Sequence, residues 1–167
     1  GNSTSRVGNM VAKYFNGAAP VAGPRGAEDP DWAAMVASAH AAAVNALDTF
    51  DLAGALTQSQ DLVRRVDGYI NITEPFRLAK KIDEPGVRER LGAILYNCAE
   101  ALRIATILMA PAMPTKMAEL WKNWNCAPRP GQTLAELCTW GGLKPGTMIA
   151  KGEPLFMRAD AAEPEPA

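Results

Sequence analysis

The chain has 167 residues, of which 48% are hydrophobic and 21% charged, and its net charge is −1. This is enough for one domain with its own core, and the near-neutral charge excludes a general polyanion binder, so any nucleic-acid contact must depend on a few local side chains. No apolar run reaches the roughly 18 residues of a membrane span. The three cysteines are widely spaced and there is one histidine, which argues against a zinc site, a disulfide framework or a histidine metal cluster and favours a reducing cytosol.

A first helix is predicted over residues 2–16. Its polar residues Asn2, Arg6, Asn9 and Lys13 recur at steps of four, three and four, so they share one face. Such a stripe is usually a solvated face. Asn and Arg, however, hydrogen-bond the edges of flat groups, so the stripe is also a candidate recognition surface. The helix starts with no capping residue in front of it, which predicts that the chain is a piece of a longer protein.

Two long antiparallel helices are predicted next. Residues 16–28 are rich in Gly and Pro and read as a loop. Asp29 is the expected cap of a helix that runs to about Phe50, and Asp51 is the expected cap of a helix over about 52–72. The connection between them is very short, so they should pack side by side in opposite directions.

A sharp corner ends this third helix at Thr73-Glu74-Pro75, and the aromatic Phe76 follows at once. Proline biases the residue before it away from helical angles, so the turn should be abrupt. A short helix to Ile82 is expected after it. An aromatic at such a corner is either part of the core or a platform for something flat.

The remaining elements predict an all-α fold, an antiparallel helical bundle with a short irregular or β C-terminal extension. The central helix, about 86–109, is apolar nearly all round and should be buried. The other expected elements are a helix over 114–124, a capping box of Thr133 and Glu136 before a helix over 134–140, β-prone pieces at 147–150 and 155–158, and an acidic, disordered tail at 159–167. The predicted units are the bundle (1–141), a C-terminal peptide (142–158) and the tail (159–167).

No catalytic residue and no metal ligand is predicted. The sequence contains no Gly-rich phosphate loop and no GxSxG, HExxH or paired-cysteine motif. Single-stranded RNA is read by stacking unpaired bases on aromatics and by hydrogen bonds to their pairing edges. An exposed Phe76 together with Asn2 and Arg6 would suit that chemistry, but the residues alone do not bring them together.

Several segments, in register, resemble one known family. Gly1-Asn2 with Arg6 is similar to the start of its anticodon-binding helix. YINITEPFRLAK (69–80) resembles its Y-I-x-x-T-E-P-W-x-L-A-K stretch, and MAPAMP (109–114) and KGEPLF (151–156) resemble its long-helix end and C-terminal peptide. The family is methionyl-tRNA synthetase, a class I aminoacyl-tRNA synthetase, and the similarity runs from Gly1 to about Arg158.

The resemblance implies a site. In the family, the Asn and Arg matching Asn2 and Arg6 hydrogen-bond bases of the CAU anticodon, chiefly the cytosine, and the aromatic matching Phe76 stacks on that cytosine. The family usually has Trp there, so we expect recognition to survive with weaker stacking. Asn9 and Lys13 extend the stripe and are candidates for further RNA contacts, an inference from helix geometry.

The resemblance also implies what lies outside the chain. The whole enzyme would form methionyl-AMP from methionine and ATP with Mg²⁺ and would then transfer the methionine to its tRNA. Its catalytic half would be the part able to bind a zinc ion. The present residues lack its catalytic half, so they should be inactive alone and hold no cofactor. The expected partners are the anticodon loop and the enzyme's own catalytic domain, with no DNA and no membrane, in a cytoplasmic monomer. The alternatives are the equivalent domain of another class I synthetase, such as the cysteine or valine enzyme, and a non-catalytic helical scaffold that binds protein.

Overall fold

The structure, a computed structural model, describes residues 1–150 and 155–156. It is built from helices, and the predicted all-α class is confirmed. The acidic tail at 159–167 and the second half of the second β-prone piece, 157–158, lie outside the described residues. The first β-prone piece contributes one isolated antiparallel bridge, between Ala18 and Met148.

Seven α-helices and one 3₁₀ turn account for the regular structure of the described residues. In chain order they are α1 (Asn2–Tyr14), α2 (Trp32–Asp48), α3 (Leu52–Thr73), α4 (Pro75–Leu78), the 3₁₀ turn (Ala79–Lys81), α5 (Val87–Met109), α6 (Pro114–Asn123) and α7 (Leu134–Leu137).

Two of the predicted helix starts are confirmed by their caps. Asp51 accepts a hydrogen bond from the Gly54 N–H at the start of α3, and Thr133 and Glu136 form the predicted capping box of α7. The predicted cap of α2 is wrong. Asp31, not Asp29, accepts from the first turn of that helix, because the Asp29 carboxylate is occupied by side chains of α3 and α5.

Helix α5 is the centre of the bundle and packs against α1, α2, α3, α6 and α7. Its length and composition would suit a membrane span, but 94% of the relevant window is buried within the protein, as in the core helix of a globular domain. The apolar faces of α1, α3 and α6 close around it. Its buried residues Leu91, Ile94, Leu95 and Ile104 have no exposed surface.

The directions of the three helices that carry the candidate site follow from single contacts. The Arg88 guanidinium, at the start of α5, donates to the carbonyl oxygen of Tyr14 at the end of α1 (3.1 Å). Ser59, early in α3, donates to the carbonyl oxygen of Ala105, late in α5 (2.8 Å). Helices α1 and α3 therefore both run antiparallel to α5, and they run in the same direction as each other.

A buried ion pair lies inside the apolar surroundings of α5. Glu100, with no exposed surface, accepts from Arg103 Nε (2.7 Å) and Nη2 (2.8 Å). The Arg103 side chain also donates to the carbonyl oxygens of Leu137 (2.8 Å) and Thr139 (3.1 Å), beyond the end of α7. The pair therefore ties the α7 region to the central helix. The apolar pattern of the α5 sequence did not predict this ion pair.

The segment after α7 packs back on the bundle near α1. Thr147 accepts from the Ala19 N–H (2.8 Å), and the Ile149 N–H donates to the carbonyl oxygen of Gly17 (2.7 Å). The Ile149 side chain is buried and belongs to the same core cluster as Val7 and Val11 of α1. The C-terminal segment thus adds Ile149 to the core against which the buried face of the first helix packs.

Candidate nucleic-acid interface

Helix α1 separates a buried face from a polar one, as its spacing predicts. Ser3, Thr4, Val7, Gly8 and Val11 are buried. The polar stripe faces outward in three of its four positions, because Asn2, Asn9 and Lys13 are exposed and Arg6 is partly buried. A helix in this arrangement presents amide and cationic groups to a ligand while its opposite face fixes it to the core.

Arg6 lies over the interior of the bundle. Burial raises the pKa of the Cys98 thiol on α5, and the positive charge of Arg6 opposes that rise, which places the guanidinium within electrostatic range of Cys98. Beside it, Ser3 Oγ donates to Asp67 Oδ1 of α3 (2.9 Å). This hydrogen bond fixes the register between α1 and α3.

The corner at Phe76 is rigid and exposed. Glu74 adopts left-handed backbone angles (φ 42°, ψ 55°), an unfavourable conformation for a residue with a side chain, which turns the chain abruptly between α3 and α4. Pro75 is buried and is the first residue of α4, where its ring suits the helix. Phe76 is 46% exposed. It is therefore not a core residue, and nearly half of its surface is open to solvent.

A polar cluster formed by Asp29, Tyr69 and Arg90 supports this corner, and the sequence did not indicate it. Tyr69, one turn before the end of α3, donates its hydroxyl to Asp29 Oδ1 (2.6 Å), and Arg90 of α5 donates to both oxygens of the same carboxylate (2.7 and 2.6 Å). The Thr73 hydroxyl then donates to the Tyr69 carbonyl oxygen (2.7 Å). The cluster thus links the last turn of α3 to the start of α5.

The cluster changes the titration of its members. Burial alone would raise the pKa of Asp29, but the hydrogen bonds from Arg90, from Tyr69 and from the Gly26 N–H outweigh it and lower the pKa to about 2. Burial, with the hydrogen bond to Asp29, raises the pKa of Tyr69. Asp29 is therefore ionised at neutral pH and holds its two partners in place.

Replacing Asp29 with Asn should destabilise the fold in a pH-dependent way. The folded pKa lies below the ordinary value of 3.8, so the carboxylate contributes fully above about pH 4–5, and its contribution is lost as the pH falls towards 2. We expect D29N to lower the free energy of unfolding by about 2 kcal/mol at pH 7, the equivalent of nearly two pKa units, and by little near pH 2. Urea unfolding of both proteins across this range measures the difference.

The matched control is Asp31→Asn, two residues away on the exposed cap of α2. Because Asn caps a helix as well as Asp does, D31N should change the free energy of unfolding at pH 7 by no more than about 0.5 kcal/mol. A D29N deficit that stays constant from pH 7 to pH 2 would contradict the assigned role of the ionised carboxylate.

The stripe and the corner lie towards the same end of the bundle. Ser3 contacts α3 six residues before that helix ends, which is about 9 Å along its axis. Because α1 and α3 run in the same direction, Arg6 lies about 4–5 Å further towards the corner than Ser3 does. Helix α4, which carries Phe76, packs on α5 as α1 does. Asn9 and Lys13 follow further along the same direction.

Residues 1–150 and 155–156 include no group of three or more His, Cys, Asp or Glu side chains placed to hold a metal ion. The three cysteines are free thiols: Cys98 and Cys138 are buried, and Cys126 is half-buried. Burial raises the pKa of Cys126 and of Cys138 to about 11, so both are protonated at neutral pH.

Comparison with known proteins gives the family. No family model matches the chain. It is 36% identical over 165 residues to the methionine–tRNA ligase of Streptomyces coelicolor, an alignment that covers 96% of this chain and 30% of the relative. The ligase of Thermotoga maritima is 32% identical over 163 residues, which covers 98% of this chain and 25% of the relative. The chain belongs to the methionyl-tRNA synthetase family. The resemblance seen in its sequence motifs is confirmed.

Solved structures show the same fold in that family. The Mycobacterium tuberculosis methionyl-tRNA synthetase in its free state superposes with a TM-score of 0.82 at 23% identity, covering 96% of this chain and 32% of the larger one. The same synthetase bound by methionyl-adenylate gives a TM-score of 0.81 at 24% identity, with 94% and 30% covered. The chain thus spans about a quarter to a third of the length of the synthetases it matches, and corresponds to their C-terminal part.

Proposed function

We propose that the chain reads the CAU anticodon of methionine tRNA, as the anticodon-binding part of an enzyme that attaches methionine to tRNA with ATP. The proposal rests on the family and on a surface suited to RNA. It assigns residues 1–141 to the anticodon-binding bundle and 142–158 to a C-terminal peptide that packs on the bundle or on the enzyme's own catalytic domain. The whole enzyme would be a cytoplasmic monomer that uses ATP with Mg²⁺, and its catalytic half would be the part able to bind a zinc ion.

The observation that carries the proposal is the position of Phe76. It is a large apolar side chain, 46% exposed, held at a corner whose backbone and neighbours are fixed. Leaving such a side chain in water forfeits apolar burial, so a binding partner that covers it recovers that free energy. Stacking of one base on an aromatic is worth roughly 1–3 kcal/mol. A cytosine laid on Phe76 would make use of the exposed ring face.

The polar stripe supplies the groups that distinguish cytosine. The pairing edge of cytosine carries one donor and two acceptors. Asn2 offers both a donor and an acceptor, whereas Arg6 offers donors only. Uracil also carries one donor and two acceptors, but its donor lies between the acceptors, so groups placed to fit the donor–acceptor–acceptor order of cytosine would not fit uracil. Asn9 and Lys13 lie further along the same face and are proposed to contact neighbouring nucleotides.

The test is a binding titration of the chain with two RNA stem-loops that differ at one position. The first carries CAU, and the second carries U in place of the first anticodon base. We expect the CAU loop to bind about 5- to 150-fold more tightly, because a good base-edge contact discriminates by about 1–3 kcal/mol. Equal binding of the two loops would refute the proposal and would favour the remaining alternative, a helical scaffold that binds protein.

A further inference from the structure

We propose that the turn between α2 and α3 is the surface on which the catalytic half of the whole enzyme docks. The inference rests on the part of the proposed function that places this chain in a larger synthetase, and it does not depend on which anticodon the chain reads. It comes from three apolar residues that the turn exposes, Leu47, Phe50 and Leu52, which we call the apolar tip.

The apolar tip projects from the bundle into solvent. Every residue from 47 to 53 is exposed. The exposed fraction is 41% for Leu47, 90% for Phe50 and 65% for Leu52. A large apolar residue exposed singly is common on protein surfaces, whereas three within one turn form a patch of the kind that marks a contact with another protein surface.

The turn holds Phe50 out of the bundle in a fixed conformation. The Phe50 N–H donates to the Leu47 carbonyl oxygen (3.0 Å), and the Asp51 N–H donates to that of Ala46 (2.8 Å). Phe50 itself has left-handed backbone angles (φ 60°), which a bulky residue adopts at a cost and which Gly or Asn adopts readily. A Phe that strains the backbone and leaves its ring in water does not serve the fold of this chain, so its use is a contact with another surface.

A second copy of this chain is a poor occupant for the apolar tip. A buried aromatic side chain contributes about 150–250 Å², so three side chains stay below the roughly 800 Å² that each partner contributes to a stable complex of two proteins. Charge also opposes a second copy. The exposed Asp48 and Asp51 flank Phe50 in the sequence, and a two-fold contact would place these carboxylates of one copy against those of the other.

The catalytic half of the same enzyme avoids both obstacles. The chain spans 30% and 25% of the two ligases that it matches, so most of such an enzyme lies outside the chain. A surface attached in cis meets the apolar tip at a high effective concentration, so a small patch is enough to fix it. The surface expected opposite the tip is apolar, with Lys or Arg at its rim to complement Asp48 and Asp51.

The position of the apolar tip also suits a catalytic partner. The tip lies at the start of α3 and Phe76 lies just after its end, and the 22 residues of α3 separate them by about 33 Å. In a folded tRNA, the end that receives the amino acid lies at the opposite end of the molecule from the anticodon. The catalytic half must therefore lie away from the Phe76 corner, and docking on the tip leaves that corner open to RNA.

Hydroxyl-radical footprinting of the 167-residue chain and of the whole enzyme, both without RNA, tests the inference. The radical oxidises exposed aromatic and aliphatic side chains, and mass spectrometry gives the rate at each residue. We expect the rate at Phe50 to be about tenfold lower in the whole enzyme, because its exposed fraction falls from 90% to that of a core residue. Phe76, the same residue type at the other end of α3, is the matched control and should react at the same rate in both proteins.

Phe50→Asn provides a second measurement. Asn tolerates left-handed backbone angles better than Phe does, so F50N should leave the urea midpoint of the 167-residue chain unchanged or raise it. In the whole enzyme, F50N removes the largest contact of the apolar tip. The oxidation rate of Leu52 should then rise towards the rate that it has in the chain alone.

Two results would overturn the inference while the proposed function stands. The first is an equal oxidation rate at Phe50 in the chain and in the whole enzyme. The second is protection of Phe50 in the chain alone that increases with its concentration, because that would show a second copy on the apolar tip. Equal binding of the two RNA stem-loops would instead refute anticodon reading, and the docking surface would remain.

Discussion

Glu100→Gln should be among the most destabilising single substitutions in the chain, lowering the free energy of unfolding by about 3–5 kcal/mol. The two oxygens of Glu100 accept four donors: Nε and Nη2 of Arg103 and the backbone N–H groups of Gly142 (2.7 Å) and Leu143 (3.0 Å). An amide nitrogen in place of one oxygen would face donors and would leave the Arg103 charge uncompensated in the interior. Urea unfolding at pH 7, followed by circular dichroism, measures the loss.

Glu119→Gln is the matched control. Glu119 pairs with Lys116 at 3.0 Å, but both side chains are about two-fifths exposed, and such surface pairs contribute 0–1 kcal/mol. Each pair joins a glutamate to a cation three residues away, Arg103 in the first and Lys116 in the second, so burial is the largest difference between them. If E100Q unfolded at the same urea concentration as E119Q, the buried pair would not be the support that we infer.

Arg6→Ala and Phe76→Ala should each remove about 1–3 kcal/mol of the discrimination between CAU and its changed loop, a factor of about 5 to 150. The losses have different causes. R6A removes donors to the base edge, whereas F76A removes the surface on which the base rests. Phe76→Trp, the residue usual in the family, should tighten CAU binding because the indole ring stacks over a larger area. Dissociation constants for both loops, measured at one fixed salt concentration, test all three.

Two substitutions of the same kind serve as controls for these effects. Phe50 is 90% exposed at the connection between α2 and α3, and Arg129 is exposed in the loop after α6. Both lie outside the proposed site, so F50A and R129A should retain the wild-type preference for CAU. Full discrimination in R6A and F76A would refute the assignment of these two residues, even if the chain proved to prefer CAU.

Local pattern was enough to predict most of the helices. Periodic apolar spacing, Pro75 and the Asp51 and Thr133 caps place α3, α4 and α7 within a few residues, because those signals act over one or two turns. The sequence also indicated that Phe76 lies on a corner. Its 46% exposure and the left-handed Glu74 could not be predicted, because they depend on what the rest of the bundle covers.

The wrong prediction of the α2 cap shows the limit of inference from local sequence. Asp29 and Asp31 are equally good caps by residue type, and the choice between them is made by Tyr69 and Arg90, which lie far along the chain. The Glu100–Arg103 pair is a similar case: an i, i+3 ion pair reads as a surface feature until the α7 region is folded over it. The contacts of Asp29 with Tyr69 and Arg90, and those of the Glu100–Arg103 pair with residues 137–143, join positions far apart in the chain, and a single sequence carries no local signal for them.

The position of Ile149 has a consequence for the order of assembly during translation. The ribosome makes α1 before every other described element, yet Ile149, which belongs to the same core cluster as Val7 and Val11 of α1, is made near the end of the described chain. Contacts so distant in sequence form late, because closing a long loop costs entropy before the contacts form. The helix that bears Asn2 and Arg6 therefore leaves the ribosome ahead of the other described helices and reaches its final packing after them.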